Sequence, residues 1–334
     1  MDFELNDGPA ATHPSRQHMT SYSPAPTLSL KTRDHGGAGV SRWKLVSFTL
    51  THAVAAFLLS VLSLSGLYRL GRLFGTLEWL INYKRRRRFA AAFQRVLGYK
   101  PTAGQRRRET REFFIRSRCD KLFYLIFDCV PRDKAMTLFS IGNQGLLDDA
   151  LARGRGVYLA MSHHGDHHVI GMLLALKGYR TAAVRDRHEG ALRRFVQERF
   201  DRRYPGFPRM RVLFADGFPR DAYRCLQDGY VLGSAMDIGR VRNPNQKTEE
   251  VTIFGEKRSF LSGPLRIAIR CRAPVLQACI RTDRSFRYHL EIADVLVDPD
   301  NVGDEATAIR QAMRAYAANV EKHIRESPSL LSRI

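Results

Sequence analysis

An uncharged apolar segment near the N-terminus constrains this chain more than any other feature. Residues Leu45 to Tyr68 contain no Asp, Glu, Lys or Arg. A membrane-spanning helix needs roughly 20 mostly apolar residues, so the segment is long enough to cross a bilayer. It also fits the first of two helices lying in the membrane interface, with residues 70–83 as the second, or a buried core helix. We expect residues 41–83 to form a membrane-anchoring helix or helices.

Basic residues flank this segment unequally. Arg42 and Lys44 precede it, whereas Arg69, Arg72 and the basic run 84–88 follow it. Lys and Arg accumulate on the cytoplasmic side of membrane segments. The pattern therefore predicts that the rest of the chain faces the cytoplasm.

The whole chain is strongly basic, with 54 Lys and Arg against 33 Asp and Glu and a formal net charge of +21. Such a surface favours polyanions, which include nucleic acids, anionic lipids and phosphorylated substrates. No zinc finger or RNP-like aromatic motif is found, and the basic residues are spread along the chain, so nucleic acid is not an expected partner. An anionic membrane surface is expected instead. The odd cysteine count without a C-x-x-C spacing indicates reduced thiols: Cys119, Cys129, Cys225, Cys271 and Cys279.

The remaining sequence divides into segments that differ in composition and in hydrophobic pattern. Residues 1–40 are rich in Pro, Ser, Thr, Gly and His without a period, which predicts a disordered tail. Residues 84–334 form the main domain, in which 84–150 has a helical pattern broken at 100–102. From 151 onward, short apolar runs alternate with helical stretches, which predicts an α/β core: a mixed central sheet flanked by helices, behind the N-terminal membrane helix. The strand candidates are 156–162, 181–185, 211–215, 230–236, 251–254, 273–280 and 288–297.

A histidine-rich string, residues 163–168, follows the first of these strands and precedes a predicted helix. The carboxyl ends of strands are where open α/β sheets bind ligands. A histidine there can act as a general base, provided that a carboxylate orients its ring. Asp166 lies three positions after His163, so the two share a face if a helix starts here. A solvated turn that happens to be rich in histidine is the simplest alternative.

A metal site is a second hypothesis for the same string. His164, Asp166 and His167 match the second half of the H-x-H-x-D-H pattern of metallo-β-lactamase-like hydrolases. Ser162 stands where the first histidine should be. Further ligands would have to come from downstream histidines that lack that family's context: His188, His289 and His323. A metal-dependent hydrolase is therefore kept as an alternative, and no metal ligand is assigned.

The order of features over residues 45–330 resembles the bacterial lipid A biosynthesis acyltransferases of the lysophospholipid acyltransferase superfamily. That family has an N-terminal membrane helix, a basic helical stretch, and a strand leading into a His-x4-Glu or His-x4-Asp motif. His163 and Gly165 match the motif, but His168 stands at the position of its acid. Asp166, Asp237 or Glu189 would then supply the carboxylate, or the chain has lost acyl transfer and is an inactive membrane protein of this type.

Matches to the same family continue downstream. Arg185 is similar to the Arg after the second strand, and Asp237 falls at the acidic position of the segment LQDGYVLGSAMDIGR. The segment 251–280 is similar to the family pattern V-x-x-F-G, G-P-x-x-x-A and A-P-V. The residues that carry this last match are Phe254, Gly255, Gly263, Pro264, Ala268, Ala273, Pro274 and Val275.

The resemblance implies an O-acyltransferase at the inner membrane. Its donor would be acyl carrier protein or acyl-CoA, and its acceptor a hydroxyl of a membrane lipid or glycolipid. His163 would be the general base and Asp166 its orienting acid, with His168 as the third catalytic candidate. The substrate-binding candidates are Arg185, Asp237, Gly263 and Pro264. Neither a metal nor a redox cofactor is expected.

Overall fold

The computed structural model describes residues 42–185, 191–205, 210–214, 219–237 and 247–332. The tail predicted for residues 1–40 lies outside these ranges. The helices are α1 Arg42–Val61, α2 Leu64–Ile81, α3 Tyr83–Leu97, α4 Ala103–Ile126, α5 Arg132–Thr137, α6 Gln144–Ala152, α7 Ile170–Leu176, α8 Ala191–Arg203, α9 Pro219–Gln227, α10 Gly263–Arg270 and α11 Glu305–Glu326. The strands are β1 Phe139–Gly142, β2 Val157–Met161, β3 Thr181–Arg185, β4 Arg211–Phe214, β5 Val231–Ala235, β6 Thr248–Ile253, β7 Glu256–Leu261, β8 Val275–Asp283 and β9 Arg287–Val297.

The main sheet has seven strands in the order β1-β9-β8-β2-β5-β3-β4. Neighbouring strands are parallel except for β8 and β9, which pair antiparallel. Strands β6 and β7 form a separate antiparallel hairpin. Helices pack on the sheet, so the predicted α/β class with a mixed central sheet is confirmed.

Strand β2 lies in the middle of the sheet because both of its faces are apolar. All five of its residues are buried. Successive side chains of a strand point to opposite faces, so Leu159 and Met161 join one core with α4 and α7, whereas Tyr158 and Ala160 join another with α10 and α11. A continuous apolar run is typical of a parallel strand covered on both sides.

Two strands differ from the sequence prediction. Strand β1 lies within the segment 84–150, for which helices were predicted, and the charged strand β7 was not predicted. Strand β1 has only four residues, too few to show an alternating pattern. Strand β7 carries Glu256, Lys257 and Arg258 and is partly exposed, so it lacks an apolar run. Strand β1 is held by pairing with the distant β9, and β7 by pairing with β6, which precedes it, rather than by their own sequence patterns.

The uncharged apolar segment forms two helices rather than one. Helix α1 ends at Val61, and Ser63 caps the start of α2 by accepting a hydrogen bond from the Gly66 amide at 3.2 Å. Residues Trp43–Val61 are long and apolar enough to cross a membrane, with a mean hydropathy of 1.6 and 11% of the window buried. Length and composition permit a span and do not establish one.

Helices α1 and α2 leave large apolar side chains exposed, which we call the apolar face. Isolated exposed apolar residues are ordinary, but this many on two consecutive helices indicate a contact surface. The members on α1 are Trp43, Leu45, Val46, Leu50, Val54, Phe57 and Val61; those on or next to α2 are Leu73, Phe74, Leu77, Leu80, Ile81 and Tyr83.

Glycines on α2 allow close packing against α4. Gly71 and Gly75 are four residues apart and therefore lie on one face of the helix. A Cβ on Gly75 would lie 2.4 Å from the Ile115 Cα, and one on Gly71 would lie 3.0 Å from the Cys119 Sγ. The two helix backbones thus touch where these glycines lie, which fixes α2 on α4.

We expect Gly75→Ala to lower the free energy of unfolding by about 1–3 kcal/mol, because the added methyl group meets backbone atoms that cannot move aside. Gly104→Ala, in the first turn of α4, is the matched control, since a Cβ there has open space around it. The control should leave stability unchanged or raise it by up to ~1 kcal/mol. Denaturant unfolding in detergent measures both, and equal effects would contradict the close α2–α4 contact.

Candidate functional site

His163 and Asp237 lie together at the carboxyl edge of the sheet. Strands β2 and β5 are parallel neighbours, with Met161 opposite Ala235, and each functional residue comes two positions after its strand partner. The His163 Nδ1 lies 2.7 Å from Asp237 Oδ1. The His163 backbone amide donates to both carboxylate oxygens, at 3.1 Å and 2.9 Å. The acid therefore holds both the ring and the main chain of the histidine.

This contact defines the tautomer of His163. A carboxylate accepts from Nδ1–H, so the Nε2 lone pair is the one left to accept a proton from another molecule. Both side chains are largely buried, with 10% of the His163 side chain and 7% of that of Asp237 exposed. The arrangement is that of a histidine general base with an orienting acid.

The electrostatics of the pair keep the acid ionised. Burial alone would raise the pKa of Asp237, but the hydrogen bonds that the ring and the backbone amide of His163 donate bring the pKa below the usual value. Burial lowers the pKa of the adjacent His164 to about 4, so that ring is uncharged at neutral pH. Its Nδ1 accepts a hydrogen bond from the Ser332 amide at 3.3 Å.

The turn that carries His163 depends on Gly165 and on the C-terminal residues. Gly165 has a φ of +72°, and a Cβ there would lie 2.8 Å from the Ile280 carbonyl oxygen. Its amide donates to the Leu330 carbonyl at 2.9 Å, and the Ser332 hydroxyl donates to the His163 carbonyl. The segment after α11 therefore closes over the turn and fixes its shape.

Asp166 lies in a different environment from the one that the sequence suggested. Its carboxylate accepts a hydrogen bond from the Tyr288 hydroxyl at 3.3 Å, and Asp237, not Asp166, contacts the ring of His163. Burial, and then the charge of the neighbouring Asp120, raise the pKa of Asp166 well above its usual value. Burial likewise raises the pKa of Asp120 to about 7, although Arg116 opposes the shift. A catalytic role for Asp166 stays a prediction.

His168, which replaces the acid of the family motif, lies beside a cation. The Arg193 guanidinium on α8 donates to the Nε2 of His168. The rings of His167 and His168 lie 3.8 Å apart, and that of His167 lies 5.0 Å from the ring of His163. A carboxylate at position 168 would form an ion pair with Arg193. His168 removes that negative charge but still accepts a hydrogen bond from Arg193.

The remaining predicted residues lie at the carboxyl edge of the sheet, near Asp237, or outside the residues that the structure describes. Helix α10 begins at Gly263 with Pro264 in its first turn, and the Leu261 amide donates to the Met236 carbonyl at 3.3 Å, next to Asp237. Arg185 ends β3, the other neighbour of β5, but its side chain lies outside the described residues. Glu189 and His188 lie outside them as well.

The hypothetical metal ligands of the string 163–168 face different partners. His164 Nε2 lies 3.7 Å from Asp237 Oδ2, whereas Asp166 contacts Tyr288. Within the described ranges, the group of side chains with mutually close ligand atoms is elsewhere, at His52, Asp128 and Cys129. The geometry therefore gives no support to the metallo-hydrolase pattern.

Comparison with known proteins agrees with this geometry. Residues 42–330 match the model of a family described as bacterial lipid A biosynthesis acyltransferase. The chain belongs to this family. The predicted family and its enzyme class, an acyltransferase, are thereby confirmed.

Two curated relatives are similar over part of the chain. Both are phosphatidylinositol mannoside acyltransferases of Mycobacterium tuberculosis, from strains ATCC 25618 / H37Rv and CDC 1551 / Oshkosh. Each is 28% identical over 187 residues, which cover 55% of this chain and 56% of the relative. The chain thus spans about half the length of the curated relatives it matches.

The buried acids predict a dependence of stability on pH. Because the folded pKa of Asp120 is raised to about 7 from 3.8, the folded protein binds an extra proton between these values. Its stabilising effect is present at low pH and is lost as the pH rises through about 7. Asp120→Asn should therefore flatten the fall in stability between pH 5 and 8 and raise stability at pH 8 by about 1–3 kcal/mol.

Denaturant unfolding at several pH values tests this expectation. The control is Asp133→Asn, which changes an exposed acid on α5 and should leave the pH profile as it is in the parent protein. A steeper fall of stability with pH in Asp120→Asn, or no fall in the parent protein, would contradict the raised pKa of Asp120.

Proposed function

We propose that this protein is a membrane-bound O-acyltransferase that moves a fatty acyl group from a thioester donor to a hydroxyl of a membrane lipid or glycolipid. The observation that carries the proposal is the His163–Asp237 pair at the carboxyl edge of the sheet. Membership in the lipid A acyltransferase family supports it independently.

The reaction follows from the tautomer of His163. Nε2 takes the proton of the acceptor hydroxyl while the oxygen attacks the thioester carbonyl. Asp237 stabilises the imidazolium that forms, which is the orienting role first given to Asp166. Collapse of the tetrahedral intermediate breaks the C–S bond, and the leaving thiolate takes the proton from Nε2. The ester and the free thiol are the products, and His163 returns to its starting state.

Other predicted residues have supporting roles in this proposal. The first turn of α10, at Gly263 and Pro264, starts at the same edge of the sheet, and helix N-termini favour negative charge. Arg185 would bind a phosphate or the developing oxyanion from the end of β3. Asp166 and His168 would shape the turn behind the base, where Arg193 and Tyr288 hold them.

Charge and similarity support the substrate class. Acyl carrier protein and acyl-CoA are both polyanionic, and a net charge of +21 attracts either one. The curated relatives are named for a phosphorylated, mannose-bearing lipid. By analogy, we expect a phosphorylated glycolipid as acceptor for this chain.

The apolar face would hold the protein on the membrane that contains the acceptor. It is continuous in sequence with the basic start of α3, where Arg86 and Arg87 lie over the ring of Tyr83. Apolar side chains that enter the acyl region, beside cations at the headgroups, are typical of interfacial helices. The proposed location is the inner membrane, with the main domain on the cytoplasmic side.

Activity measurements test the catalytic pair directly. His163→Ala and Asp237→Asn should each lower the rate of acyl transfer by about 10²–10⁴-fold, the usual contribution of general acid–base catalysis. His289→Ala, which changes a partly exposed histidine on β9, should leave the rate unchanged. Mass spectrometry of cell lipids and of purified reactions, with acyl-CoA and acyl carrier protein as alternative donors, gives the readout.

The same experiment separates the alternatives. A loss in Asp166→Asn equal to that in His163→Ala, with Asp237→Asn fully active, would return the orienting role to Asp166. Loss of activity on addition of a chelator would favour a metal-dependent reaction. Identical lipids in the parent and His163→Ala cells would indicate an inactive member of the family.

Vesicle binding tests the membrane surface. Leu77→Asp places a charge on the apolar face and should weaken binding to vesicles containing an anionic phospholipid by roughly 10–100-fold, the equivalent of about 1.5–3 kcal/mol for one large apolar side chain. Val295→Asp on β9 is matched in exposure, with 42% against 43% for Leu77, and should bind like the parent protein. An equal loss of vesicle binding in both variants would contradict the role of the apolar face as the membrane-binding surface.

A further inference from the structure

A cluster of potential metal ligands joins α1 to the main domain, and its residues are separate from the His163–Asp237 pair. His52 lies on α1, and Asp128 and Cys129 lie on the short 3-10 helix that follows α4. The His52 Nε2 is 2.9 Å from Asp128 Oδ1, and the Cys129 Sγ is 3.4 Å from that nitrogen and 3.8 Å from that oxygen. One nitrogen, one oxygen and one sulfur ligand atom therefore converge on a single point.

The spacing fits tetrahedral zinc. Zinc binds nitrogen and oxygen at about 2.0–2.2 Å and sulfur at about 2.3 Å, which gives distances of about 3.3–3.6 Å between ligand atoms. The three distances found here, 2.9 to 3.8 Å, bracket that range. Cys129 is only half-buried, so a water molecule can reach the fourth position.

The surroundings orient the ligands as in a metal site. The Arg199 Nε donates to Asp128 Oδ2 at 2.8 Å and so keeps Oδ1 turned toward His52 and Cys129. The edge of the His52 ring packs against Phe195, with centroids 6.0 Å apart. Hydrogen bonds from outside the ligand set, which fix the ligands in place, are common to zinc sites.

Burial gives a second argument. His52 is a buried polar residue on an otherwise apolar helix, and burying an imidazole against apolar surroundings is costly unless it is fully paired. Cys129 lies beside this His–Asp–Arg network, and a metal ion in place of the thiol proton would join all three ligands.

We propose that His52, Asp128 and Cys129 bind one divalent transition metal ion of the zinc class, which fastens α1 to the main domain. The mixed nitrogen, oxygen and sulfur donors suit zinc better than magnesium or calcium. Binding replaces the thiol proton by the metal and releases that proton to solvent. The role is structural, and acyl transfer at His163 does not depend on it.

Cobalt titration of the full-length protein in detergent tests the proposal. After removal of bound metal with a chelator, Co²⁺ should bind with a sulfur-to-cobalt charge-transfer band in the near ultraviolet, at one equivalent per chain. Zn²⁺ should then displace the cobalt and abolish the band. Sites made of histidine alone, in the string 163–168 or in the N-terminal tail, give no such band, so the readout is specific for a cysteine ligand.

Cysteine variants locate the site. Cys129→Ser keeps the contact of His52 with Asp128, and it should abolish the band and weaken Zn²⁺ binding by at least about 100-fold. Cys271→Ser is the matched control, because Cys271 is also partly exposed and lies outside the cluster. Zn²⁺ should raise the melting temperature of the parent and the control, and not that of Cys129→Ser.

The outcomes separate this site from the proposed function. No band in the parent protein, or an unchanged band in Cys129→Ser, would overturn the metal site. Acyl transfer by Cys129→Ser should continue in detergent at the parent rate, since the substitution lies outside the His163 pair. A loss of transfer in His163→Ala with metal binding intact would show that the two sites are independent.

Discussion

The parallel pairing of β2 with β5 is the contact on which the functional part of the molecule depends. It sets Met161 opposite Ala235, so that the residues two positions further along each strand meet above the sheet. A shift of this register by one residue would turn either His163 or Asp237 to the other face. The pairing is held by side chains buried on both faces of β2, so the same apolar packing that stabilises the sheet also sets the geometry of the His163–Asp237 pair.

The aspartates of the site differ in ionisation because their environments differ. Asp237 accepts three donor contacts from His163 and is kept ionised, whereas Asp166 and Asp120 are buried close to each other, which favours their protonated forms. An ionised acid beside the ring stabilises an imidazolium, whereas protonated acids contribute little to the field at the ring. The replacement of the motif acid by His168, opposite Arg193, is consistent with this division, because the acid needed at the ring comes from another strand.

Sequence patterns predicted the local features well and the long-range ones poorly. The apolar run before His163 predicted β2 because a doubly buried strand reads as continuous apolar residues. The pairing of His163 with Asp237 could not be read from spacing, since it depends on which strand lies beside β2. Asp166 looked like the partner because residues three apart share a helix face. The positive φ of Gly165 interrupts the turn and sends the Asp166 side chain toward Tyr288 instead.

Helix α4 links the N-terminal helices to the site in one rigid element. Its 24 residues give a length of about 36 Å. Along it, Ile115 meets the glycine face of α2, the charge of Asp120 acts on Asp166, and Asp128 just beyond its end contacts His52 on α1. A helix of this length bends little, so the position of α1 and α2 is fixed relative to the carboxyl edge of the sheet. In the proposed function, this fixed position sets the height of His163 above the lipid surface, and that height decides which acceptor hydroxyl the base can reach.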